Sequence, residues 1–141
     1  MASDFKMSFP ATTDGMIAAL EAAEHYGVAL NLAVELVSRV RIVVEELFSN
    51  TIKYGYGEEC GRPVRLHLSA DPVLTLTYED EAPPFDPTAW KAEDADALPD
   101  ERPEGKAGIN MVMALSTSAT YRPRPDGNCL VLTFEARAPN P

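Results

Sequence analysis

The chain has 141 residues, 45% of them apolar and 24% charged, which is the composition of an ordinary globular domain. Its net charge of −10 argues against a nucleic acid or an anionic membrane as binding partner. No apolar run approaches the roughly 18 residues of a membrane span, and no signal-peptide pattern is present, so we expect a cytoplasmic protein. Cys60 and Cys129 lack a CxxC pattern and are expected to be free thiols.

The first half of the chain predicts one strand and two helices. Residues 5–9 alternate like a short strand, which Pro10 would end. A first helix would begin near the candidate N-caps Thr12, Thr13 and Asp14 and close at Gly27. Its inner face would carry Ile17, Leu20, Ala23 and Tyr26. Apolar residues at the helical period then predict a long helix from near Asn31 to near Tyr54, with Val34, Val37, either Val40 or Arg41, Val44, Leu47, Phe48 and Thr51 facing inward.

The second half predicts four strands, a loop and a short helix. Residues 64–68 and 73–78 would be antiparallel strands, and residues 119–121 and 129–135 a final hairpin. Between them lie an acidic, proline-rich segment, expected to be a mobile loop, and a short apolar helix at residues 109–115. This order predicts an α+β two-layer sandwich: a mixed, mainly antiparallel sheet covered on one face by helices.

The long helix carries a pair of polar residues with a spacing that can serve chemistry. Glu46 and Asn50 are four residues apart, so both side chains project from the same helical face. A carboxylate can accept a proton, and a carboxamide oxygen beside it can bind a hard cation such as Mg²⁺. Lys53 could reach toward a phosphate or could simply be solvated at the helix end.

Two downstream segments add further polar and glycine-containing sites. Asp80 ends a predicted strand, where its carboxylate can accept a hydrogen bond from an amine, and the run from Ala82 to Phe85 follows it. Residues 105–108, Gly-Lys-Ala-Gly, open the short apolar helix, which would begin near Gly108. Free N–H groups and the positive dipole end at such a helix start favour phosphate.

In this order the three motifs resemble those of the anti-sigma-factor serine kinases, a branch of the histidine-kinase-like (GHKL) ATPase superfamily. The resemblance runs from about residue 10 to residue 136. It implies a single domain over residues 1–141 with a Bergerat-type ATP-binding fold and an ATP lid at residues 86–107. The family's N-box matches Glu46 and Asn50, and its strand-end Asp with a following Pro-Phe-Asp-Pro matches Asp80 and residues 84–87. Its glycine-rich turn matches residues 105–108.

The resemblance also implies ATP and Mg²⁺ as cofactors and assigns roles to residues. Glu46 would be the general base, Asn50 the Mg²⁺ ligand and Asp80 the reader of the adenine amine. The remaining nucleotide-binding residues would be Lys53, Ala82, Phe85, Gly105, Lys106, Ala107, Gly108 and Ile109. Ala82 and Ala107 depart from the family, which prefers glycine there. If position 82 requires a positive φ, alanine would cost about 1 kcal/mol.

Three classes of function fit these motifs to different degrees. The first is a serine/threonine protein kinase that phosphorylates a small antagonist protein and sequesters a sigma factor; a homodimer is compatible with this class. The second is an ATP-gated protein-binding module without phosphotransfer. The third, the catalytic domain of a two-component histidine kinase, is disfavoured because the chain has no room for a His-bearing pair of dimerisation helices. The resemblance also implies that histidine kinase domains have an Asn, and not a Glu, at the position that matches Glu46.

Overall fold

Five strands and three helices make up residues 4–89 and 106–136, the part of the chain that the computed structural model describes. The strands are β1 (Phe5–Ala11), β2 (Cys60–Ser69), β3 (Leu74–Asp80), β4 (Ser118–Arg124) and β5 (Gly127–Phe134). The helices are α1 (Thr13–Ala29), α2 (Val34–Asn50) and α3 (Lys106–Leu115).

The strands form one antiparallel sheet in the order β1-β2-β3-β5-β4. Alternate residues of each central strand are buried, as a sheet with one covered face requires. In β3 the buried set is Leu74, Leu76, Tyr78 and Asp80. Helix α2 contacts both α1 and α3, so the three helices form a second layer. The predicted α+β fold class is confirmed.

The core lies between the sheet and helix α2. Val43, Val44 and Phe48 are fully buried on α2, and Leu76 and Leu132 are fully buried on the central strands. Burying each such side chain stabilises the fold by about 1.5–3 kcal/mol. The core thereby fixes how α2, which carries Glu46 and Asn50, sits over the sheet.

The predicted boundaries of the first strand and helix need correction. Pro10 does not end β1, which continues to Ala11 with a register shift at this point. A proline is tolerated there because β1 is an edge strand. Helix α1 is capped by Thr12, whose side chain accepts from Gly15 N at 2.9 Å, and it runs past Gly27 to Ala29.

The amphipathic faces of the two helices also differ in part from prediction. Ile17 and Val34 were expected inside but are 46% and 85% exposed. Small residues, Gly15, Ala19, Ala23 and Gly27, form the buried stripe of α1 instead. A side chain at Gly27 would overlap Val37 of α2, so small residues allow the two helices to pack closely.

Helix α2 is shorter at both ends than predicted. Asn31 has a positive φ of 55°, which no α-helix accommodates, so the helix begins at Val34. After Asn50 the chain continues as a π-helical turn over Thr51–Gly55, closed by a hydrogen bond from Tyr56 N to Thr51 O at 2.7 Å. Such turns are common at functional sites.

The predicted lid at residues 86–107 lies largely outside the described residues. Its first part forms a short 3-10 turn, Pro87–Ala89. Its last two residues already belong to α3, which begins at Lys106 and not near Gly108. Among the described residues, no helix is long and apolar enough to cross a membrane.

Candidate functional site

A cavity of about 570 Å³ opens between the C-terminal end of α2, the ends of β3 and β5, and α3. This volume is in the range of small-molecule binding sites. The residues lining it are Leu47, Asn50, Thr51, Tyr54, Gly55, Tyr78, Asp80, Ala82, Pro83, Pro84, Phe85, Pro87, Ile109, Tyr121, Asn128 and Leu130. The walls are mainly apolar and aromatic, and a few polar groups converge among them.

Asp80 is the buried carboxylate of this cavity, with 7% of its surface exposed. Its Oδ1 accepts hydrogen bonds from Asn128 Nδ2 at 2.8 Å and from Ala82 N at 3.2 Å. Its Oδ2 accepts one from Thr51 Oγ1 at 2.8 Å. A buried charge needs such partners, and together they fix the orientation of the carboxylate.

Two hydroxyl groups connect Asp80 to helix α2. Thr51 Oγ1 lies 2.6 Å from the hydroxyl of Tyr78, which also donates to Leu47 O at 3.0 Å. Burial raises the pKa of Tyr78 well above its usual value, so the phenol remains protonated and can donate. Tyr78 and Thr51 thus bridge strand β3 and the π-helical turn beneath the cavity.

Asn128 ties the end of β5 to the segment that follows β3. Its Nδ2 donates to Asp80 Oδ1 and, at 3.2 Å each, to the carbonyl oxygens of Ala82 and Pro83. Its Oδ1 accepts from Phe85 N at 2.9 Å and from the Tyr121 hydroxyl at 2.5 Å. Burial raises the pKa of Tyr121, which keeps this hydroxyl a donor.

Glu46 and Asn50 lie one turn apart on α2, but only Asn50 lines the cavity. Glu46 is half-buried beside the N-terminal turn of α3: a Cβ at Gly108 would overlap its Oε2. Gly108 is the third residue of α3, whose first four N–H groups have no acceptor within the helix. The structure therefore places the carboxylate of Glu46 next to the start of a helix, at the edge of the cavity.

Ala82 fits this backbone without the strain that a positive φ would bring. Among the described residues, Asn31 is the only non-glycine with positive φ, so position 82 does not need glycine for conformational freedom. The alanine is 4% exposed, and its methyl group packs against Gly55, where an added Cβ would come within 2.9 Å of it. Gly55 leaves the room that the methyl group of Ala82 occupies.

The other predicted nucleotide-binding residues divide into three groups. Ile109 is buried in the cavity wall and Phe85 lines it while 44% exposed. Lys53 is exposed and is not part of the lining. Lys106 and Ala107 begin α3, and Gly105 lies outside the described residues.

Sequence reasoning missed Asn128, Thr51, Tyr78 and Tyr121 as site residues. Strand alternation could have found two of them. Tyr78 and Asp80 continue the inward series of Leu74 and Leu76, and Asn128 continues that of Leu130, Leu132 and Phe134. Asn128 was interpreted as part of a turn, but β5 already begins at Gly127 and pairs Asn128 with Asp80.

These features fit an adenine nucleotide with Mg²⁺. A buried carboxylate can accept from an amine, and the start of α3, beside which Glu46 lies, is a helix end that favours phosphate. Within residues 4–89 and 106–136, no three His, Cys, Asp or Glu residues are grouped as a metal site. Mg²⁺ commonly takes one or two protein ligands and completes its shell with phosphates and water, so a single Asn50 oxygen is compatible with it.

The fold and the cavity define a nucleotide-binding type of α+β domain, and a family comparison agrees. The model of the "Histidine kinase-like ATPase domain" family matches residues 9–134. The chain belongs to this family. A search of curated proteins finds no significant match to it.

Solved structures share the fold at low sequence identity. One is the structure of the RsbU and RsbW domains of Rv1364c from Mycobacterium tuberculosis, with a TM-score of 0.66 and 12% identity over 94% of this chain. The match spans only 31% of that longer chain. Another is the SiaB–SiaC complex from Pseudomonas aeruginosa, with a TM-score of 0.57 and 14% identity, covering 92% of this chain and 88% of that one.

Proposed function

We propose that this chain is a cytoplasmic, ATP-dependent serine/threonine protein kinase of the anti-sigma type, which phosphorylates a small antagonist protein and binds a sigma factor. Membership of the histidine kinase-like ATPase family supports ATP as the nucleotide. The similarity to structures named for an RsbW domain and for a SiaB–SiaC complex supports this branch of the family and a protein partner. A homodimer is part of the same proposal.

The observation that carries the proposal is the position of Glu46. Its carboxylate lies against Gly108 at the start of α3, one helical turn from Asn50 in the cavity wall. Phosphates held at that helix start would lie close to Glu46, while an adenine would lie at Asp80. This arrangement suits transfer of the terminal phosphoryl group to a hydroxyl group at the edge of the cavity.

In this mechanism each residue has one task. Asp80 accepts a hydrogen bond from the adenine amine and excludes guanine, which has an oxygen at that position. Asn50 would hold Mg²⁺, which would neutralise charge on the phosphates. Glu46 takes the proton from the attacking serine or threonine hydroxyl, a contribution typically worth about 10²–10⁴-fold in rate.

The test is single-turnover transfer of labelled γ-phosphate to an antagonist protein that co-purifies with the chain. Glu46→Gln keeps the size and removes the base, so we expect transfer to fall by about 10²-fold or more while Mg-ATP binding survives. Glu45→Gln is the matched control, since Glu45 is the neighbouring, exposed residue and should transfer at the wild-type rate.

Two results would change the assignment. If Glu46→Gln transfers phosphate at the wild-type rate, Glu46 is not the general base. A wild-type protein that binds ATP and the antagonist but transfers no phosphate would instead be the ATP-gated binding module, the alternative that the same motifs allow.

A further inference from the structure

We propose that Asn128 is a positioning residue of the nucleotide site: it fixes Asp80 and the segment after β3 so that Oδ2 of Asp80, and not Oδ1, receives the amine of the ligand. The inference deepens the proposed function, on which it rests for the identity of that amine as adenine's. It assigns to Asn128, which lines the cavity, a role that acts through Asp80 and not through a hydrogen bond to the ligand.

Most of the hydrogen-bond acceptor positions of Asp80 are already occupied. A carboxylate offers about four, two on each oxygen. Oδ1 already accepts from Asn128 Nδ2 and from Ala82 N, whereas Oδ2 accepts from Thr51 Oγ1. The remaining acceptor position is therefore on Oδ2, and Asp80 lines the cavity with 7% of its surface exposed.

Oδ2 of Asp80 can also release its present hydrogen-bond donor, Thr51. Thr51 and Tyr78 have one hydroxyl proton each, but three contacts share these two protons: Thr51 with Asp80, Thr51 with Tyr78, and Tyr78 with Leu47 O. When an amine donates to Oδ2, Thr51 can turn its proton to the oxygen of Tyr78, and Tyr78 donates to Leu47 O. No hydroxyl proton loses its acceptor in this exchange.

Asn128 itself has no free hydrogen-bond donor or acceptor left for a ligand. Its two N–H groups serve Asp80 Oδ1 and the carbonyl oxygens of Ala82 and Pro83, and its oxygen accepts from Phe85 N and the Tyr121 hydroxyl. Because acceptors face the amide nitrogen and donors face the amide oxygen, the side-chain amide of Asn128 has only one favourable orientation. Asn128 is 9% exposed, so this set of bonds is shielded from water.

We call the hydrogen bonds from Asn128 to Asp80 and to residues 82–85 the clamp. The backbone around Asn128 makes this clamp rigid. Asn128 stands directly opposite Asp80 in the β3–β5 ladder. The preceding residue, Gly127, lies so close that a Cβ there would overlap the backbone oxygen of Asp80. The carboxylate, the opposite strand and residues 82–85 therefore move as one unit.

The experiment uses Asn128→Asp, which keeps the shape but replaces the amide nitrogen with oxygen. The titratable groups around this position are Asp80 on β3 and Tyr121 on β4, which contact it, with Tyr78 beyond Thr51 and Asp86 near Tyr121. An ionised carboxylate at 128 repels Asp80 and donates nothing, whereas a protonated one can donate to Oδ1.

We expect Asn128→Asp to bind ATP at least about 10-fold more weakly than wild type at pH 8 and to recover most of that loss at pH 5.5. Affinity is expressed relative to wild type at each pH, which cancels the titration of the phosphates. Asp126→Asn, on the exposed turn two residues away, is the control and should keep a constant ratio. A ratio for Asn128→Asp that does not change with pH would overturn the proposal.

A second measurement works without nucleotide. In Asn128→Ala the amide of Phe85 loses the Asn128 oxygen as an acceptor and keeps its hydrogen bond with the Tyr121 hydroxyl, so its hydrogen exchange should be severalfold faster than in wild type, with that of Leu132 in the core unchanged. Unchanged exchange at Phe85 would contradict the clamp. If wild type binds no adenine nucleotide, the proposed function fails, and this exchange result still decides whether Asn128 holds the segment.

Discussion

Arg39 is a buried charge on α2 that organises the far end of the helix layer. Only 5% of it is exposed, and its guanidinium lies over the ring of Phe134. Its Nε donates to Leu115 O, the end of α3, at 2.9 Å, and its Nη1 donates to Glu135 O at 2.8 Å. A cation at a helix C-terminus is favourable. One bond satisfies the carbonyl of the last residue of α3, and the other satisfies the carbonyl of the residue that follows β5. Arg39 thus anchors one end of α3, whose other end lies against Glu46.

Replacing Arg39 with methionine should destabilise the fold by roughly 2–4 kcal/mol, because two carbonyl groups lose charge-assisted hydrogen bonds. Urea unfolding followed by circular dichroism measures this loss. Arg41→Met is the matched control, since Arg41 is partly exposed and pairs with Glu24 only at 3.8 Å, and it should stay within about 1 kcal/mol of wild type. Equal unfolding midpoints for Arg39→Met and wild type would show that the anchor contributes nothing.

At the scale of elements, Gly127 and Gly108 each allow a neighbouring group to lie close to the backbone, but the neighbouring groups differ. An added Cβ at Gly127 would meet the backbone of Asp80 and Glu81, which cannot move aside without shifting β3. At Gly108 its closest contact would be the carboxylate of Glu46, the end of a side chain that can rotate away. The first glycine is required by strand packing, and the second leaves space for a carboxylate.

We therefore expect the two alanine variants to fail differently. Gly127→Ala should lose about 1–3 kcal/mol of stability by overpacking. Gly108→Ala should unfold nearly as wild type but lose phosphotransfer, because it displaces Glu46. Gly61→Ala is the control, since nothing lies within 4 Å of its Cβ position. Thermal unfolding and the single-turnover assay separate the two effects, and a Gly108→Ala variant with full transfer activity would contradict the role of this contact.

Helix periodicity and strand alternation predicted the layers of this fold but not all of its boundaries. Glu46 and Asn50 lie on neighbouring turns of one helix as their spacing required, since helix geometry is local. The exposure of Val34 was not predictable, because it depends on the left-handed turn at Asn31 that delays the helix. The continuation of β1 through Pro10 was not predictable either. A proline is tolerated there because β1 lies at the edge, and that position depends on the order of all the strands in the sheet.

The candidate site was predicted where a motif is contiguous and missed where it is assembled by strand pairing. Asp80 stood out as a strand-end carboxylate, whereas Asn128 meets it only through the register of β3 with β5. The helical period predicts Thr51 as a core residue. Its hydrogen bond to Asp80 depends on the π-helical turn, which the helical period does not predict. Long-range register is not encoded in local pattern.

At the scale of the whole molecule, the cavity is the place where distant parts of the chain meet. Helix α2, strands β3 and β5 and helix α3 each contribute to its wall, so a ligand there would contact elements of both layers. A ligand that binds only the folded state stabilises it by mass action, by about 2.7 kcal/mol at 100 times its dissociation constant. Nucleotide binding and global stability should therefore be coupled through Asp80.

Calorimetric titration of ATP into wild type and Asp80→Asn tests the central claim, that an adenine nucleotide binds in this cavity, most directly. The substitution removes a charge-assisted bond, which should cost roughly 1.5–3 kcal/mol, or about 10–150-fold in affinity. Asp71→Asn, in the exposed turn between β2 and β3, is the control and should bind as wild type does. Circular dichroism establishes that each variant is folded. Equal ATP affinities for wild type and folded Asp80→Asn would contradict the account.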